Sequence, residues 1–249
     1  TRIWRSFVPG HPSTFIAFLG TAYVAFALAA SLFAPQSNDH GAAIPPGARC
    51  LVQLHGKGST GRPTTVGDGV VTVAPSGNAE GWGGREWDYY SSPASFEEAR
   101  AIVTRAVEGC GDLIMYGFSN GAAFAAKLFC VGETFDGRLV RTVLDDPVPD
   151  HAVVDCRPDP RVQVHLYWTG ALTYTRPGWL CADGEIPCEG RTFIGIAAYA
   201  ACLSVVPLQS AHSTHIPYQD APETASWSRL TAPATSAPAV LDGGEAECP

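Results

Sequence analysis

The chain has 249 residues, 46% of them hydrophobic and only 16% charged, with a formal net charge of -8. Arg2 and Arg5 are the only charged residues before Asp39, which leaves 14 of the 16 basic residues against all 24 acidic ones from Pro35 onward. That acidic excess repels phosphate backbones and argues against a nucleic-acid partner, while the length suits a membrane segment plus one domain of about 200 residues.

Residues 14–34 carry no charge over 21 positions. As a helix they would be roughly 32 Å long, enough to cross a bilayer core. A secretory signal has a shorter apolar region, so a retained anchor is favoured over a peptide cleaved after Ser31-Leu32-Phe33-Ala34. The arginines precede the span and the acidic region follows it. The positive-inside rule therefore puts residues 1–13 in the cytoplasm and the domain outside, in a periplasmic or extracellular space. Residues 35–48 are polar and Pro-containing, a linker before a domain at 49–230 and an irregular Ala/Pro/Ser/Thr-rich tail at 231–249.

Within the domain, Cys50–Leu54 reads as a strand running into His55-Gly56-Lys57-Gly58, and Val70–Ala74 as a second strand. Glu97–Val107 has its apolar residues on one helical face. Leu113–Tyr116 is a short buried strand, followed by Gly117-Phe118-Ser119-Asn120-Gly121 and an Ala-rich helix. Further strands are expected at Leu139–Leu144 and Val162–Trp168, a helix at Thr192–Ala201, and a short last strand at Leu203–Leu208. Strands alternating with helices imply an α/β domain with a mainly parallel sheet flanked by helices.

Eight cysteines, at 50, 110, 130, 156, 181, 188, 202 and 248, form no Cys-x-x-Cys pair, which argues against zinc. Paired disulfides in an oxidising compartment fit better and agree with the external placement. Cys181 and Cys188 are close enough in sequence to staple a loop, and Cys248 can tie down the tail. The other pairings are not readable from spacing.

Gly-x-Ser-x-Gly between a strand and a helix is the setting of a nucleophile elbow, where the turn exposes the Ser119 hydroxyl at a helix N-terminus. A hydroxyl attacks an ester when a base takes its proton and donors hold the oxyanion. The order of serine, acid and histidine, the elbow, the His55-Gly-x-Gly loop and a histidine after the last strand together resemble the alpha/beta-hydrolase superfamily over roughly residues 49–218. The resemblance implies a serine esterase or lipase needing no cofactor and no metal, acting on an ester or lipid-like small molecule. It also implies an oxyanion hole from the backbone N–H of Gly56 or Lys57 and of Asn120. The base comes from the loop holding His212 and His215, with His215 preferred. No Cys or further His accompanies these two histidines nearby, which argues against a metal site there.

The carboxylate stays open between several residues. The superfamily usually places it after the strand ending at Trp168, where Thr169–Thr173 has none. Asp145-Asp146-Pro147 resembles the strand end of pancreatic-type lipases and points to Asp146, with Asp145 adjacent. The segment from Cys181 to Cys188 resembles the cutinase acid loop and offers Glu185 or Asp183, without the histidine that follows it in cutinases. Trp82, Trp87, Tyr89 and Tyr90 either line an acyl pocket or pack beneath a long loop. The opening Arg2–Pro9 resembles the start of bacterial light-harvesting alpha polypeptides, without their pigment-ligating histidine, so no pigment is implied. The rival reading is a non-catalytic, hydrolase-like accessory subunit of a membrane protein complex; a peptidase or acyltransferase is a third.

Overall fold

The computed structural model describes residues 41–168, 193–210, 227–231, 237–239, 241 and 246–249. All belong to the unit His40–Pro249. The expected membrane span at 14–34, the linker up to residue 40, the segment around Cys181 and Cys188, and both His212 and His215 lie outside the described residues. No described helix is long and apolar enough to cross a membrane.

The elements are β1 (Ala48–Leu54), β2 (Arg62–Gly67), β3 (Val70–Ala74), β4 (Ala79–Gly81), β5 (Gly84–Glu86), α1 (Pro93–Ala106), β6 (Cys110–Phe118), α2 (Asn120–Cys130), β7 (Leu139–Asp145), β8 (Gln163–Trp168), α3 (Gly195–Leu203), β9 (Leu208–Gln209) and α4 (Trp227–Thr231). A 3-10 turn at His151–Val153 separates β7 from β8. Seven strands form one sheet in the order β2-β3-β1-β6-β7-β8-β9. Every pairing is parallel except β2 with β3, in keeping with the α/β class expected from the alternation of strands and helices.

The sheet is covered on both faces, which is why its strands read as continuous apolar runs. Alternate residues of one strand serve opposite cores, as the two-residue period requires. Cys50, Val52, Leu54, Leu113, Met115 and Leu144 pack with the helices α1, α2 and α3. Leu51, Val70, Ile114, Tyr116, Phe118 and Val143 pack on the other face with Leu230 of α4. Helix α2 is buried at ten of its positions, among them Ala122, Ala123, Ala125 and Ala126, whose small side chains let it lie close against the sheet.

Helix α1 begins a turn earlier than its apolar spacing alone suggests. Ser92 caps it by accepting from the Ser95 N–H at 3.0 Å, and Pro93 occupies the first helical position. The expected strand at Leu203–Leu208 shrinks to Leu208–Gln209, because α3 runs on to Leu203 and Ser204 closes it in the left-handed conformation. Strand β2 and the hairpin of β4 and β5 escape apolar-pattern reading: β2 is an exposed edge strand, Arg-Pro-Thr-Thr-Val-Gly, with a proline tolerated at that edge.

Three disulfides fasten the described residues. Cys50–Cys110 joins β1 to the start of β6, Cys130–Cys156 joins the end of α2 to the segment before β8, and Cys202–Cys248 ties the tail to α3. No described cysteine is free. They close loops of 60, 26 and 46 residues, and loop entropy alone assigns each roughly 3–4 kcal/mol of stabilisation.

His165 on β8 is half-buried; burial first, and the nearby Arg141 charge second, push its pKa below the ordinary 6.5. The folded state therefore favours the neutral ring. Its contribution to stability is complete above pH 6.5 and is lost as the pH falls below that value towards the depressed folded pKa. Denaturant melts of wild type and His165→Gln should diverge in their pH slope within that window and run parallel above it. At the strand–helix turn, a Cβ on Gly121 would lie 2.3 Å from the Leu54 carbonyl oxygen and 2.5 Å from that of His55. Gly121→Ala should therefore cost about 3 kcal/mol by chemical denaturation, since backbone rather than a movable side chain must give way.

Candidate active site

The sheet reverses its winding at β1. The chain goes from β1 to the edge strand β2, comes back through β3 beside β1, then lays β6 on the other side of β1 and proceeds outward through β7, β8 and β9. In an open parallel sheet, ligands bind outside the carboxyl ends of the strands at such a switch point. Here those ends are Leu54, which leads to His55-Gly56, and Phe118, which leads to Ser119; the two strands are paired up to Leu54 and Gly117.

Ser119 has φ 53° and ψ -118°, a region L-residues rarely adopt. Two contacts hold it there. Its N–H donates to the Asp145 carbonyl at 3.0 Å, and its carbonyl accepts from the Ala123 N–H at 3.0 Å. Gly117 and Gly121 make the bend possible: a Cβ on Gly117 would meet the Gly121 carbonyl oxygen at 2.5 Å and the Ala122 Cα at 2.6 Å. A serine preceding a helix ordinarily spends its hydroxyl on a capping hydrogen bond. Ser119 makes no such bond to α2, although it occupies the capping position. The residue is nevertheless only 8% exposed.

The loop after β1 closes against this serine. A Cβ on Gly56 would sit 3.4 Å from the Ser119 Cβ and 3.3 Å from the Phe118 ring, so the loop backbone passes within van der Waals reach of the serine. His55 fixes the loop. Its Nε2 accepts from the Gly77 N–H at 3.0 Å, which leaves the proton on Nδ1 to donate to the Gly56 carbonyl at 2.8 Å. The Ser59 N–H reaches the same carbonyl at 3.2 Å. A trans peptide points its N–H opposite to its C=O, so pinning the Gly56 carbonyl also aims the Lys57 N–H.

Asn120 does more than lend a backbone N–H. Its Oδ1 accepts from the Trp87 N–H at 2.7 Å and its Nδ2 donates to the Trp87 carbonyl at 3.2 Å. Trp87 is fully buried, stacked on Phe124 with 4.9 Å between ring centroids and 5.5 Å from the His55 ring. Trp87 and Tyr89 therefore pack beneath the loop, while Trp82 is exposed. Lys57 is occupied elsewhere with its side chain: Nζ lies 3.0 Å from Glu86 Oε2 and 5.0 Å from the Trp82 ring centre.

Asp145 and Asp146 end β7 beside the elbow. Phe118 and Asp145 are register partners, so Ser119 and Asp146 come next on adjacent strands, and both have left-handed φ, 53° and 52°. Asp146 is fully buried and its N–H donates to the Tyr167 carbonyl at 2.9 Å. The Asp145 carboxylate accepts from the Tyr116 hydroxyl at 2.6 Å and the Ser210 hydroxyl at 2.8 Å. Ser210 stands two residues before His212 in the sequence. The structure thus brings together Ser119, Gly56, Lys57, Asn120, Asp145 and Asp146. Glu185, Asp183, His212 and His215 lie outside the described residues. The contributions of His55 and of the Asn120 side chain were not legible from the motif, which concerns only the backbone at those positions. Among the described residues, no cluster of His, Cys, Asp and Glu is arranged to hold a metal ion.

No family model matches the chain and no curated protein matches it. Among solved structures, it is similar to the protein Atu2452 of unknown function from Agrobacterium tumefaciens (19% identity, TM-score 0.35, 51% of this chain and 69% of that one). It is also similar to the Pyrococcus furiosus esterase Pf2001 (17%, TM-score 0.27, 41% and 43%). A third is brefeldin A esterase, a bacterial homologue of human hormone-sensitive lipase (20%, TM-score 0.24, 43% and 34%). The chain spans less than half of the length of either esterase. What the chain's own strand order and turn define is an α/β protein with a mainly parallel sheet and a strained, glycine-flanked serine at its switch point.

Removing the Asn120 amide would leave the Trp87 N–H and carbonyl unpaired in the core. Asn120→Ala should destabilise the fold by about 1–3 kcal/mol in denaturant unfolding, and tryptophan fluorescence should shift with it as the Trp87 loop loosens.

Proposed function

We propose that this protein is a serine hydrolase of carboxylic esters, acting through an acyl-Ser119 intermediate. The observation that supports it best is the backbone of Ser119: a strained, left-handed residue at a helix N-terminus that does not use its hydroxyl as a cap. Strain of this kind needs a reason, and aiming a nucleophile is the one the neighbouring groups share.

In this mechanism His215 takes the Ser119 proton as the hydroxyl oxygen attacks the acyl carbonyl. The carbonyl oxygen becomes an oxyanion, held by the N–H groups of Asn120 and of Gly56 or Lys57 and favoured by the α2 dipole. The protonated imidazole then gives its proton to the departing alcohol, and the acyl group stays on Ser119. Water, deprotonated by the same imidazole, releases the acid and restores the serine. Asp146 is the proposed acid that orients the ring, because it follows the end of β7 as Ser119 follows the paired end of β6. Asp145, whose carboxylate holds Tyr116 and Ser210 next to the histidine-bearing stretch, is the alternative. The reading includes the anchor: a single span at 14–34 with the domain outside the cytoplasm, supported by the charge asymmetry and by the disulfides.

A fluorophosphonate probe should label Ser119 in the folded protein and nothing else, read by mass spectrometry of the tagged peptide. Ser119→Ala should lower kcat for a short-chain p-nitrophenyl ester by at least about a thousandfold. An unlabelled Ser119 in folded protein sinks the proposal and leaves the non-catalytic accessory subunit as the better account.

A further inference from the structure

Beyond Gly56 the same loop forms one wall of a cleft of about 840 Å³ whose residues the chemistry at Ser119 does not use. Its lining includes Ser59, Thr60, Glu80, Trp82 and Arg85, with glycines at 58, 81, 83 and 84 between them. Only two peptide units, at most about 7 Å of chain, separate Gly56 from Gly58 where the cleft begins.

The wall is built rather than loose. The Gly58 N–H donates to the Arg85 carbonyl at 3.0 Å and the Arg85 N–H to the Ser59 carbonyl at 2.6 Å, zipping the loop to β5. The Arg85 Nε donates to the Gly77 carbonyl at 3.0 Å, which orients the guanidinium, and the Thr60 and Ser76 hydroxyls are 3.1 Å apart. A Cβ on Gly84 would strike the Gly58 carbonyl oxygen at 2.2 Å, so the close approach of loop and hairpin depends on that glycine.

Trp82 is the one aromatic among the strongly exposed large hydrophobic residues described, at 41% exposure. It sits at φ 46°, in the left-handed region, at the tip of the hairpin. The Lys57 ammonium, anchored by nearly buried Glu86, lies over its ring at 5.0 Å. An indole held this way, in a strained conformation that a glycine would adopt at lower cost, marks a surface kept for contact.

The chemistry of the surroundings selects the ligand. A purely aromatic guest would want apolar walls around the indole, and here the rim is two hydroxyls, a carboxylate and a guanidinium. A pyranose has an apolar C–H face for the indole and a rim of hydroxyls for Ser59, Thr60, Glu80 and Arg85. We propose that this cleft is a subsite for a sugar ring of a carbohydrate ester, presenting the esterified hydroxyl towards Gly56 and Ser119. The link to ester cleavage rests on the function proposed above; the binding of sugar does not.

The test uses the full chain carrying Ser119→Ala, which prevents turnover, in calorimetric titrations with xylotetraose, cellotetraose and chitotetraose, and with phenol as an aryl probe. At least one oligosaccharide should saturate with a millimolar or tighter Kd, and adding Trp82→Ala should weaken it at least about tenfold. Should that variant lose its near-ultraviolet circular dichroism, Glu80→Ala, at an exposed position, is read by the same criterion. Saturation by phenol alone, no saturation by any sugar, or an affinity unmoved by loss of the ring overturns the subsite. Hydrolysis of p-nitrophenyl butyrate by the wild type is measured separately. Absent hydrolysis with sugar binding intact defeats the nucleophile reading alone, and hydrolysis without sugar binding defeats the subsite alone.

Discussion

The fold depends on how closely β6 and α2 approach β1 where the chain turns at Ser119. At Gly121 the helix backbone lies against the carbonyls of Leu54 and His55, and at Gly117 the strand lies against the helix itself. With side chains at either position, the layers would have to separate. Everything around the serine follows from that contact: the left-handed backbone, the short path from Gly56 to the Ser119 side chain, and the alignment of the β7 end through the Asp145 carbonyl. A close-packed interior does not yield gradually to an added carbon, so the geometry at the turn is held by the whole sheet.

A second layer of control comes from residues that do no chemistry. His55 accepts from Gly77 and donates to Gly56, while Asn120 grips both polar groups of the Trp87 backbone. Each of these side chains ties the loop spanning β4 and β5 to the serine's own neighbourhood. The hairpin that carries Trp82 is thereby referenced to the same frame as the elbow. Buried polar groups satisfied on every side specify one arrangement more sharply than apolar contact does.

Much of this was legible in the sequence because the signals were strong and local. The apolar runs at Cys50–Leu54, Val70–Ala74, Leu139–Leu144 and Val162–Trp168 are strands, as expected of a sheet buried on both faces. Gly-x-Ser-x-Gly falls between a strand and a helix, with the bend on the serine itself. Other features had no local signature. Strand β2 is polar and on an edge, so its pairing with β3 is fixed by long-range contact rather than by pattern. The stretch Leu203–Leu208 reads as one strand because helix α3 is apolar all round, which hides where it stops; the left-handed Ser204 ends it. The His55-Gly-x-Gly pattern concerns the loop backbone, whereas the two hydrogen bonds of the His55 ring join groups 22 residues apart and next door, which no spacing rule connects.

The Cys50–Cys110 bond lies at the opposite end of β1 and β6 from the serine. Parallel strands have no hairpin to set their offset, and a slip by one residue would exchange the two faces of a strand and displace its end by about 3.3 Å. A covalent tie at the strand origins works as a ruler. From it, five residues run along β1 from Cys50 to Leu54 and nine along β6 from Cys110 to Phe118, and the tie works with the ladder between them to bring Gly56 opposite Ser119.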